Sequence, residues 1–430
     1  PTEAKKKEAL KWLSRDLETA LLQFIRETKE GEALRCCFYE FHYAPVLEEL
    51  KDAIDRGVDV KIIIDAKENG SGKDPFPRNA NFDTIKKAKI PKANVIQREA
   101  KKNDIQHNKF MVRLTGKKRT PVEVWTGSTN ISLGGIHGQT NVGHWLRNRD
   151  VAERFLAYWT LLSDDPGARA GDDRAESKTK NDALKKSVED LFDVPSTLKE
   201  IPKGVTPVFS PRSGLTVLDL YFDLVDAASA SACITLAFGV SAALKDKLVK
   251  HTSESAIAFL LLEKKDEEKS NAKSPFVALR ASNNVYSAWG SFLRDPVYQW
   301  AKETNARELA LNNHVSYIHS KFLLRDPLGK DPIVVTGSAN FSNASTNNND
   351  ENMLIIRGDH RVADIYFTEF NRLFNHYYFR AVHESTKQTI TAAAASLFLA
   401  ENDEWQAKYA PGKLRAKRLQ LYTNMTGFTT

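Results

Sequence analysis

The sequence contains an internal repeat, and no other feature constrains the fold as strongly. The first copy has the residues IQHNKFMVR at 105–113 and WTGSTNIS at 125–132. The second copy has YIHSKFLLR at 317–325 and VTGSANFS at 335–342, and its histidine follows the first by 212 residues. Two separated blocks that match in the same order are not expected by chance, so they predict a chain of two similarly built halves.

The repeat continues upstream of both motifs. Apolar and β-branched residues predict strands at 34–39 and 58–65, with a helix at 45–56 between them that ends at Gly57. The second half repeats the order strand, helix, strand at 232–238, 242–251 and 256–263. Strands that alternate with helices predict an α/β fold in which each half has a β-sheet covered by helices on both faces.

Composition divides the chain further. We predict a first domain at 1–162 with the first motif, a linker or surface excursion at 163–204, and a second domain at 205–430 with the second motif. Residues 164–180 are almost wholly polar and predict a flexible segment, followed by a short helix at 183–192.

The C-terminal part of the chain has its own pattern. A long, aromatic-rich amphipathic helix is predicted at 361–379, and an alanine-rich helical segment follows from Glu384. The tail then carries a basic group of four side chains, Lys413, Arg415, Lys417 and Arg418.

The two His-x-Lys pairs, His107 with Lys109 and His319 with Lys321, carry the predicted chemistry. Side chains alternate along a strand, so each histidine is expected on the same side as its lysine. If the two halves face each other, two imidazoles and two ammonium groups converge on one phosphodiester. The lysines then neutralise the non-bridging oxygens, while one imidazole attacks phosphorus and the other protonates the leaving oxygen. This chemistry uses a covalent phosphohistidine and requires no metal and no cofactor.

The Gly-Ser-x-Asn blocks are predicted to complete the same phosphate site. Gly127 and Gly337 allow a close backbone approach, and hydrogen bonds to phosphate oxygens are expected from Ser128, Asn130, Ser338 and Asn340. A single block of this kind is most often only a turn. Its recurrence after the same His-x-Lys pair favours the functional interpretation.

The two halves differ at a third block, and the difference predicts roles for the histidines. The second half has Glu351 where the first has Gln139 and Asn141. If this block orients the histidine of its own half, His319 has a carboxylate partner and His107 has only an amide. A carboxylate favours the imidazolium form, so His319 is predicted to be the general acid and His107 the nucleophile.

These residues resemble the phospholipase D superfamily, which is named for its His-x-Lys-x4-Asp motif. The second copy matches in full, with Asp326 at the last position, whereas the first has Leu114 there. In the family that Asp is largely structural, so its absence affects the chemistry little. The resemblance implies two pseudo-symmetric α/β/α domains with mixed sheets flanked by helices, no metal, and a phosphohistidine intermediate. Family members include phospholipases, phospholipid synthases, nucleases and DNA-repair phosphodiesterases, so the substrate stays open.

Three functions are compatible with this site. A nuclease is favoured by the formal charge of +7, by the basic tail, and by the aromatic residues Trp125, Trp145 and Tyr317 near the motifs. A phospholipase D that hydrolyses or transfers phosphatidyl groups is the alternative, since the segment 133–137 after the first motif is partly apolar and could face a membrane. A catalytically silent binding protein is disfavoured because both His-x-Lys pairs are intact.

The remaining expectations concern partner proteins, the cysteines and the cellular compartment. Two motifs in one chain predict a site that is complete in a monomer, with no partner protein. The three cysteines, Cys36, Cys37 and Cys233, have no metal-ligand spacing and are expected to be buried thiols. No signal region and no membrane span is evident in the sequence, which favours the cytoplasm.

Overall fold

The computed structural model describes residues 2–68, 76–99, 104–268, 277–290, 317–386 and 402–423. Two compact units are present. The first consists of Pro1–Leu218, Arg307–Lys321 and Thr336–Ile355, and the second consists of Asp219–Ala306, Phe322–Val335 and Ile356–Thr430. The domain boundaries predicted from composition, 1–162, 163–204 and 205–430, remain a prediction.

The first unit contains a six-stranded mixed sheet. Its strands are β1 (Ala33–Phe38), β2 (Asp59–Asp65), β3 (Val95–Arg98), β4 (Lys109–Thr115), β5 (Thr120–Gly127) and β6 (Gly143–Leu146). The strand order is β3-β2-β1-β4-β5-β6, in which β1, β2 and β3 are parallel while β4, β5 and β6 pair antiparallel. The strands predicted at 34–39 and 58–65 are thus present as β1 and β2, side by side.

Helices cover both faces of this sheet. They are α1 (Glu3–Ser14), α2 (Leu17–Arg26), α3 (Ala44–Asp55), α4 (Arg78–Lys87), α5 (Arg149–Ser163) and α6 (Arg174–Leu191). On one face, Leu21 and Phe24 of α2 share a core with Cys36 and Met111 of the sheet. On the other face, Phe155 of α5 packs edge-on against Phe110 of β4. Side chains that alternate along the strands therefore pack against helices on both faces of the sheet.

The predicted flexible segment is partly wrong. Helix α6 begins at Arg174, well before the predicted helix at 183–192, because the Asp173 side chain accepts hydrogen bonds from the N–H groups of Ala175 and Glu176. An N-cap of this kind satisfies donors that a helix start otherwise leaves open. Along its exposed face, i,i+4 ion pairs such as Lys178–Asp182 add support that a count of polar residues does not reveal.

The second sheet is also mixed and has seven strands. These are β7 (Gly204–Ser210), β8 (Ser231–Leu236), β9 (Ile257–Leu262), β10 (Val285–Trp289), β11 (Phe322–Arg325), β12 (Ile333–Gly337) and β13 (Glu351–Arg357), in the order β10-β9-β8-β11-β12-β13-β7. The accompanying helices are α7 (Thr216–Asp226), α8 (Ala242–Leu248), α9 (Asn343–Asn347), α10 (His360–Thr386) and α11 (Leu414–Thr423). The predicted strand, helix and strand of the second half are β8, α8 and β9.

Within the second unit, the long helix α10 supplies the aromatic core. Phe370 and Phe374 lie edge-on to Phe259 of β9, and Tyr366 lies edge-on to Phe322 of β11. The aromatic-rich helix predicted at 361–379 is therefore correct in position and role. The alanine-rich segment predicted from Glu384 falls mostly outside the described residues, and the basic group lies on and just before α11.

Asp326, which completes the second motif, is a structural residue of the second unit. Its carboxylate accepts hydrogen bonds from the N–H groups of Ser229, Ala230 and Ser231, at the start of β8. Its counterpart Leu114 lies in β4 and is buried in the core of the first unit. The first half therefore has an apolar contact where the second half has a carboxylate that binds the backbone.

Replacing Asp326 tests this role. Asp326→Ala leaves three buried or partly buried N–H groups without their acceptor, and we expect the free energy of unfolding to fall by about 1–3 kcal/mol. Urea denaturation measures the change, and Asp364→Ala on the exposed face of α10 is the matched control. Equal stability of the two variants would contradict the structural assignment.

Candidate active site

The two motifs are held together by an exchange of backbone hydrogen bonds within the first unit. The N–H of His107 donates to the carbonyl of Asp350 at 2.9 Å, and the N–H of Asp350 donates to the carbonyl of Ile105 at 2.9 Å. Reciprocally, the N–H of Thr140 donates to the carbonyl of Tyr317 at 2.7 Å. Each motif is therefore paired with the third block of the opposite half.

Both histidines lie immediately before a strand. His107 precedes β4 and His319 precedes β11, so the expectation that the His-x-Lys pairs lie within strands is corrected by two or three residues. The isolated bridges Gln106–Asp350 and Thr140–Ile318 take the place of a regular ladder at these positions. The ladder ends here because the chain leaves its sheet neighbours to meet the other half.

The two imidazole rings face each other. The ring centroids of His107 and His319 are 6.5 Å apart at an angle of 72°. His107 is 7% exposed and His319 is 4% exposed. This separation leaves room for one phosphorus atom about 3 Å from a nitrogen of each ring. The predicted convergence of two histidines on one point is therefore present in the structure.

The residues behind the histidines are exchanged relative to the sequence-based expectation. Glu351 accepts a hydrogen bond from Nδ1 of His107 at 2.9 Å, and Asn141 accepts one from Nδ1 of His319 at 2.9 Å. The prediction that Glu351 supports His319, and that an amide supports His107, is wrong. The cause is the backbone exchange, which carries each third block to the motif of the other half. Gln139 lies half-buried at the end of the π-helical turn Gly134–Gly138.

The orientation of Asn141 fixes the tautomer of His319. The amide nitrogen of Asn141 donates to the carbonyl of Gly135 at 2.8 Å, and its oxygen accepts from the Ser128 hydroxyl at 2.8 Å. The oxygen therefore faces His319, and Nδ1 of that ring must carry the proton. Because a carboxylate only accepts hydrogen bonds, Nδ1 of His107 is protonated too, which leaves Nε2 of each ring for chemistry.

The two serines of the repeated blocks support the chain around the site. The Ser128 hydroxyl also accepts from the N–H of Val142 at 3.0 Å, and the Ser338 hydroxyl accepts from the N–H of Asn352 at 3.0 Å. These matching bonds tie each block to the strand beside it. The direct phosphate contact predicted for Ser128 and Ser338 remains a prediction.

Gly127 and Gly337 allow a close approach, and the approaching group is the neighbouring backbone. A Cβ atom on Gly127 would lie 2.2 Å from the carbonyl oxygen of Val142, and one on Gly337 would lie 2.2 Å from that of Asn352. No side chain larger than hydrogen fits at either place without a shift of the backbone. The repeated glycine is therefore explained by strand packing at the site.

The two asparagines of the blocks share one unusual property. The amide oxygen of Asn130 and that of Asn340 are buried and have no hydrogen-bond partner within the described part of the chain. Unsatisfied buried acceptors are uncommon in folded proteins and often mark a place where a ligand or water binds. They occupy matching positions in the two copies, which agrees with the predicted substrate contact.

The lysines of the motifs are completely buried. Lys109 and Lys321 are both 0% exposed, and each ammonium group donates to the backbone carbonyl of the histidine two residues before it. Burial lowers the pKa of Lys109 to about 7, although Glu351 and Glu40 oppose the shift. An anion bound beside this ammonium group stabilises its charged form.

Tyr39 is a residue of the site that the sequence did not reveal. Its ring lies edge-on to His107, with centroids 4.9 Å apart, and the ammonium group of Lys109 lies 5.3 Å from the ring centre. Tyr39 directly follows β1, the strand next to β4, so register along the sheet is the signal that locates it.

The histidines differ in their electrostatic setting. Burial lowers the pKa of His319 well below its usual value, and the charges of Lys321 and Lys109 lower it further. Burial also lowers the pKa of His107, but Glu351 opposes that shift. Both rings are therefore neutral near pH 7 in the absence of an anion, and His107 is the one with a compensating carboxylate.

Most of the aromatic and apolar residues that favoured one substrate or another are buried, whereas Trp145 and Tyr317 are half-buried. Trp125 and Ile136 are 1% and 2% exposed, and Trp145 packs edge-on against Phe24 of α2. The segment 133–137 forms a largely buried π-helical turn. Neither the stacking role of Trp125 and Trp145 nor an apolar membrane-facing loop at 133–137 is supported. The three cysteines are buried free thiols, as expected.

Comparison with known proteins identifies the family. The family model described as cardiolipin synthase, PLD-like domain matches residues 21–160 and 224–374, which is more than half of the chain. One match surrounds each motif. The chain belongs to the phospholipase D superfamily. It is thereby placed among enzymes that act on phosphodiesters. No curated protein sequence matches the chain significantly.

One solved structure shows the same fold. The phosphatidylserine synthase of Haemophilus influenzae superposes with a TM-score of 0.53 at 14% identity, over 94% of this chain and 92% of the synthase. Nuc of Salmonella typhimurium, a phospholipase D family member, gives 0.27 at 17% identity, over 40% of this chain and 93% of that one. The polyphosphate kinase of Porphyromonas gingivalis gives 0.48 at 10% identity over 79% of this chain, which spans only 46% of the kinase. The last two TM-scores are too low to indicate a shared fold.

In the residues that the structure describes, no group of three or more His, Cys, Asp or Glu side chains is placed to hold a metal ion. Every helix in the same residues is too short or too polar to cross a lipid bilayer.

The exchanged partners make a specific prediction for the titration of the histidines. Glu351→Gln removes the carboxylate that favours the imidazolium form of His107, so the pKa of His107 should fall further while that of His319 changes little. Nitrogen NMR of labelled histidines measures both rings. Asn141→Asp is the reciprocal variant, and it should raise the pKa of His319. A response of His319 to Glu351→Gln, without one of His107, would refute the exchanged pairing.

Proposed function

We propose that the chain is a phosphodiesterase that cleaves nucleic acid through a phosphohistidine formed on His107. The observation that carries this proposal is the facing pair of imidazoles, 6.5 Å apart, with Nδ1 of each ring hydrogen-bonded from behind. A nucleophile and a proton donor on opposite sides of one phosphorus atom are what displacement at a phosphodiester requires.

His107 is the proposed nucleophile. When Nε2 attacks phosphorus, the ring acquires a positive charge, and the Glu351 carboxylate at Nδ1 stabilises that charge. The P–O bond to the leaving group breaks, and the leaving oxygen takes a proton from Nε2 of His319. His107 thus keeps the role of nucleophile that the sequence predicts. The reason differs, because the Glu351 carboxylate lies behind the nucleophile and not behind the proton donor.

The proton on His319 is supplied together with substrate binding. In the free protein, burial and the charges of Lys321 and Lys109 hold the pKa of His319 low. A phosphodiester anion placed between the lysines opposes both charges and favours the imidazolium form. In the second step His319 takes a proton from a water or alcohol molecule. The oxygen of that molecule attacks phosphorus, and the bond from phosphorus to His107 breaks.

Lys109 and Lys321 are the proposed ligands of the non-bridging oxygens, with Asn130 and Asn340 beside them. Their burial puts positive charge in a site from which water is excluded, where it stabilises a phosphoryl transition state more strongly than in solvent. In this proposal the lysines and asparagines stabilise the charge of the transition state without a metal ion. No cofactor and no partner protein are needed.

Nucleic acid is the favoured substrate because the chain has a formal charge of +7 and a basic C-terminal helix. Phosphatidyl transfer or phospholipid hydrolysis is the second candidate. It is supported by the description of the matching family model and by the near-full-length likeness to a phosphatidylserine synthase. The buried segment 133–137 weakens it, because that segment was the apolar feature expected to face a membrane.

The leaving group distinguishes the two histidines. The p-nitrophenolate of a p-nitrophenyl phosphodiester leaves without protonation, so His319→Ala should cleave this substrate far better than it cleaves an oligonucleotide, for which we expect a loss of about 10²–10⁴-fold. His107→Ala should lose both activities by about 10⁴-fold or more. His360→Ala, on the exposed start of α10, is the control. The opposite pattern for the two histidines would reverse their roles.

Substrate class is tested by direct competition in EDTA. Wild-type protein is incubated with labelled single-stranded DNA, RNA and phosphatidylglycerol vesicles, and products and acid-labile phosphoprotein are measured. We expect turnover of nucleic acid, unaffected by the chelator, and labelled protein that depends on His107. Turnover of the lipid alone would replace the nuclease by the second candidate. Activity lost on chelation and restored by a divalent cation would refute the metal-free reaction.

A further inference from the structure

The second unit contains an aromatic cleft under the C-terminal helix α11. It has a volume of about 410 Å³, which lies in the range of small-molecule sites, about 300–1,000 Å³. Four tyrosines and two arginines account for most of its lining, Tyr286, Tyr378, Tyr409, Tyr422, Arg415 and Arg418.

Arg418 forms the fixed base of the cleft. Its guanidinium carbon lies 5.0 Å from the ring centre of Tyr286 and 5.3 Å from that of Tyr378. It also donates a hydrogen bond to the side-chain oxygen of Asn375 at 2.8 Å. The rings around Arg418 also contact one another, as in the stacked pair of Phe374 and Tyr378. The position of Arg418 is therefore fixed by one hydrogen bond and by its contacts with the surrounding rings.

Arg415 and two of the tyrosines lie at the open side. Tyr409 is 39% exposed and Tyr422 is 42% exposed, and Arg415 lies on the solvent-facing side of α11. In the described part of the chain, Arg415 contacts the Tyr409 ring at 5.8 Å and makes no hydrogen bond or ion pair. Helix α11 has the sequence LRAKRLQLYT, which has three cations and no carboxylate.

The charge of the cleft limits what it can bind. A cationic group, such as a choline or an ammonium head group, is disfavoured because Arg418 already lies over the rings of Tyr286 and Tyr378 and the open side carries Arg415. A ligand that joins a planar ring to an anion fits both features, since rings stack on tyrosine and phosphates pair with guanidinium groups. Successive nucleotides of a single strand have this composition.

We propose that the cleft between α10 and α11 binds single-stranded nucleic acid, with a base against Tyr409 or Tyr422 and a phosphate on Arg415. The inference rests on the proposed function for its choice of ligand, but not on catalysis. It assigns the second unit a binding site of its own, formed entirely by residues that the repeated motifs do not include.

Binding is measured on a full-length His107→Ala background, so that the strand is not cleaved. Fluorescence anisotropy with a labelled twelve-nucleotide oligothymidylate gives the dissociation constant at several salt concentrations. We expect Tyr409→Ala to weaken binding about tenfold, as loss of one stacked base does. Arg415→Gln should also lower the slope of log affinity against log salt by about 0.7, the value for one phosphate contact on a single strand.

Arg361→Gln is the matched control, because it removes one exposed arginine from α10 of the same unit. It should change neither the slope nor the affinity by a comparable amount, and thermal unfolding should show that all variants are folded. Unchanged affinity and slope in Tyr409→Ala and Arg415→Gln would overturn the proposal. Cleft-dependent binding of phosphatidylglycerol vesicles, without binding of the oligonucleotide, would overturn it in favour of a lipid surface.

These outcomes are separate from those for the proposed function. Wild-type protein that cleaves only lipid, while the cleft variants still lose oligonucleotide affinity, refutes the nuclease and leaves the cleft standing. Wild-type protein that cleaves DNA, while the cleft variants bind as tightly as their parent, refutes the cleft and leaves the nuclease standing.

Discussion

The exchange of backbone hydrogen bonds between the two halves determines the geometry of the site. Asp350 pairs with Ile105 and His107, and Thr140 pairs with Tyr317. Buried backbone groups must be hydrogen-bonded, so these segments cannot move apart without leaving buried donors and acceptors open. The exchange brings the imidazoles to 6.5 Å and delivers Glu351 and Asn141 to their positions. The buried ion pair of Arg98 with Asp350, at 2.8 Å, anchors the segment from the other side.

The electrostatics of the site follow from burial. Burial of the His319 ring lowers its pKa, and the charges of Lys321 and Lys109, two lysines that are 0% exposed, lower that pKa further. Charges held away from water destabilise a protein unless opposite charges are near. At this site Glu351 compensates part of this positive charge and a phosphodiester would compensate more. In the proposed reaction, the stability given up in burying the lysines is recovered when the phosphodiester binds, and the same groups stabilise the transition state.

The sequence predicts the fold and the first layer of the site well. A duplicated pattern of strands and helices was sufficient for two mixed sheets covered by helices, and the spacing of His-x-Lys identified the residues that meet. It could not predict which half supplies the residue behind each histidine, because Glu351 and Asn141 occupy equivalent positions in their own copies. Nor could it distinguish core from surface for Trp125, whose neighbours come from α2 and the sheet. Tyr39 was missed because only the register of β1 against β4 brings it to His107.

In the proposed reaction, the difference between Glu351 and Asn141 affects the proton donor as well as the nucleophile. Both accept a hydrogen bond from the Nδ1–H group of a histidine, so both fix the same tautomer and either would orient an imidazole. Only the carboxylate stabilises a ring that becomes positively charged and stays so while phosphorus is attached. A permanent carboxylate behind the proton donor would instead hold its proton more tightly and weaken it as an acid toward the leaving oxygen. In the proposed reaction, the neutral amide behind His319 leaves the substrate itself to set the charge of that ring, so His319 is proposed to become competent as a proton donor only when a phosphodiester is bound.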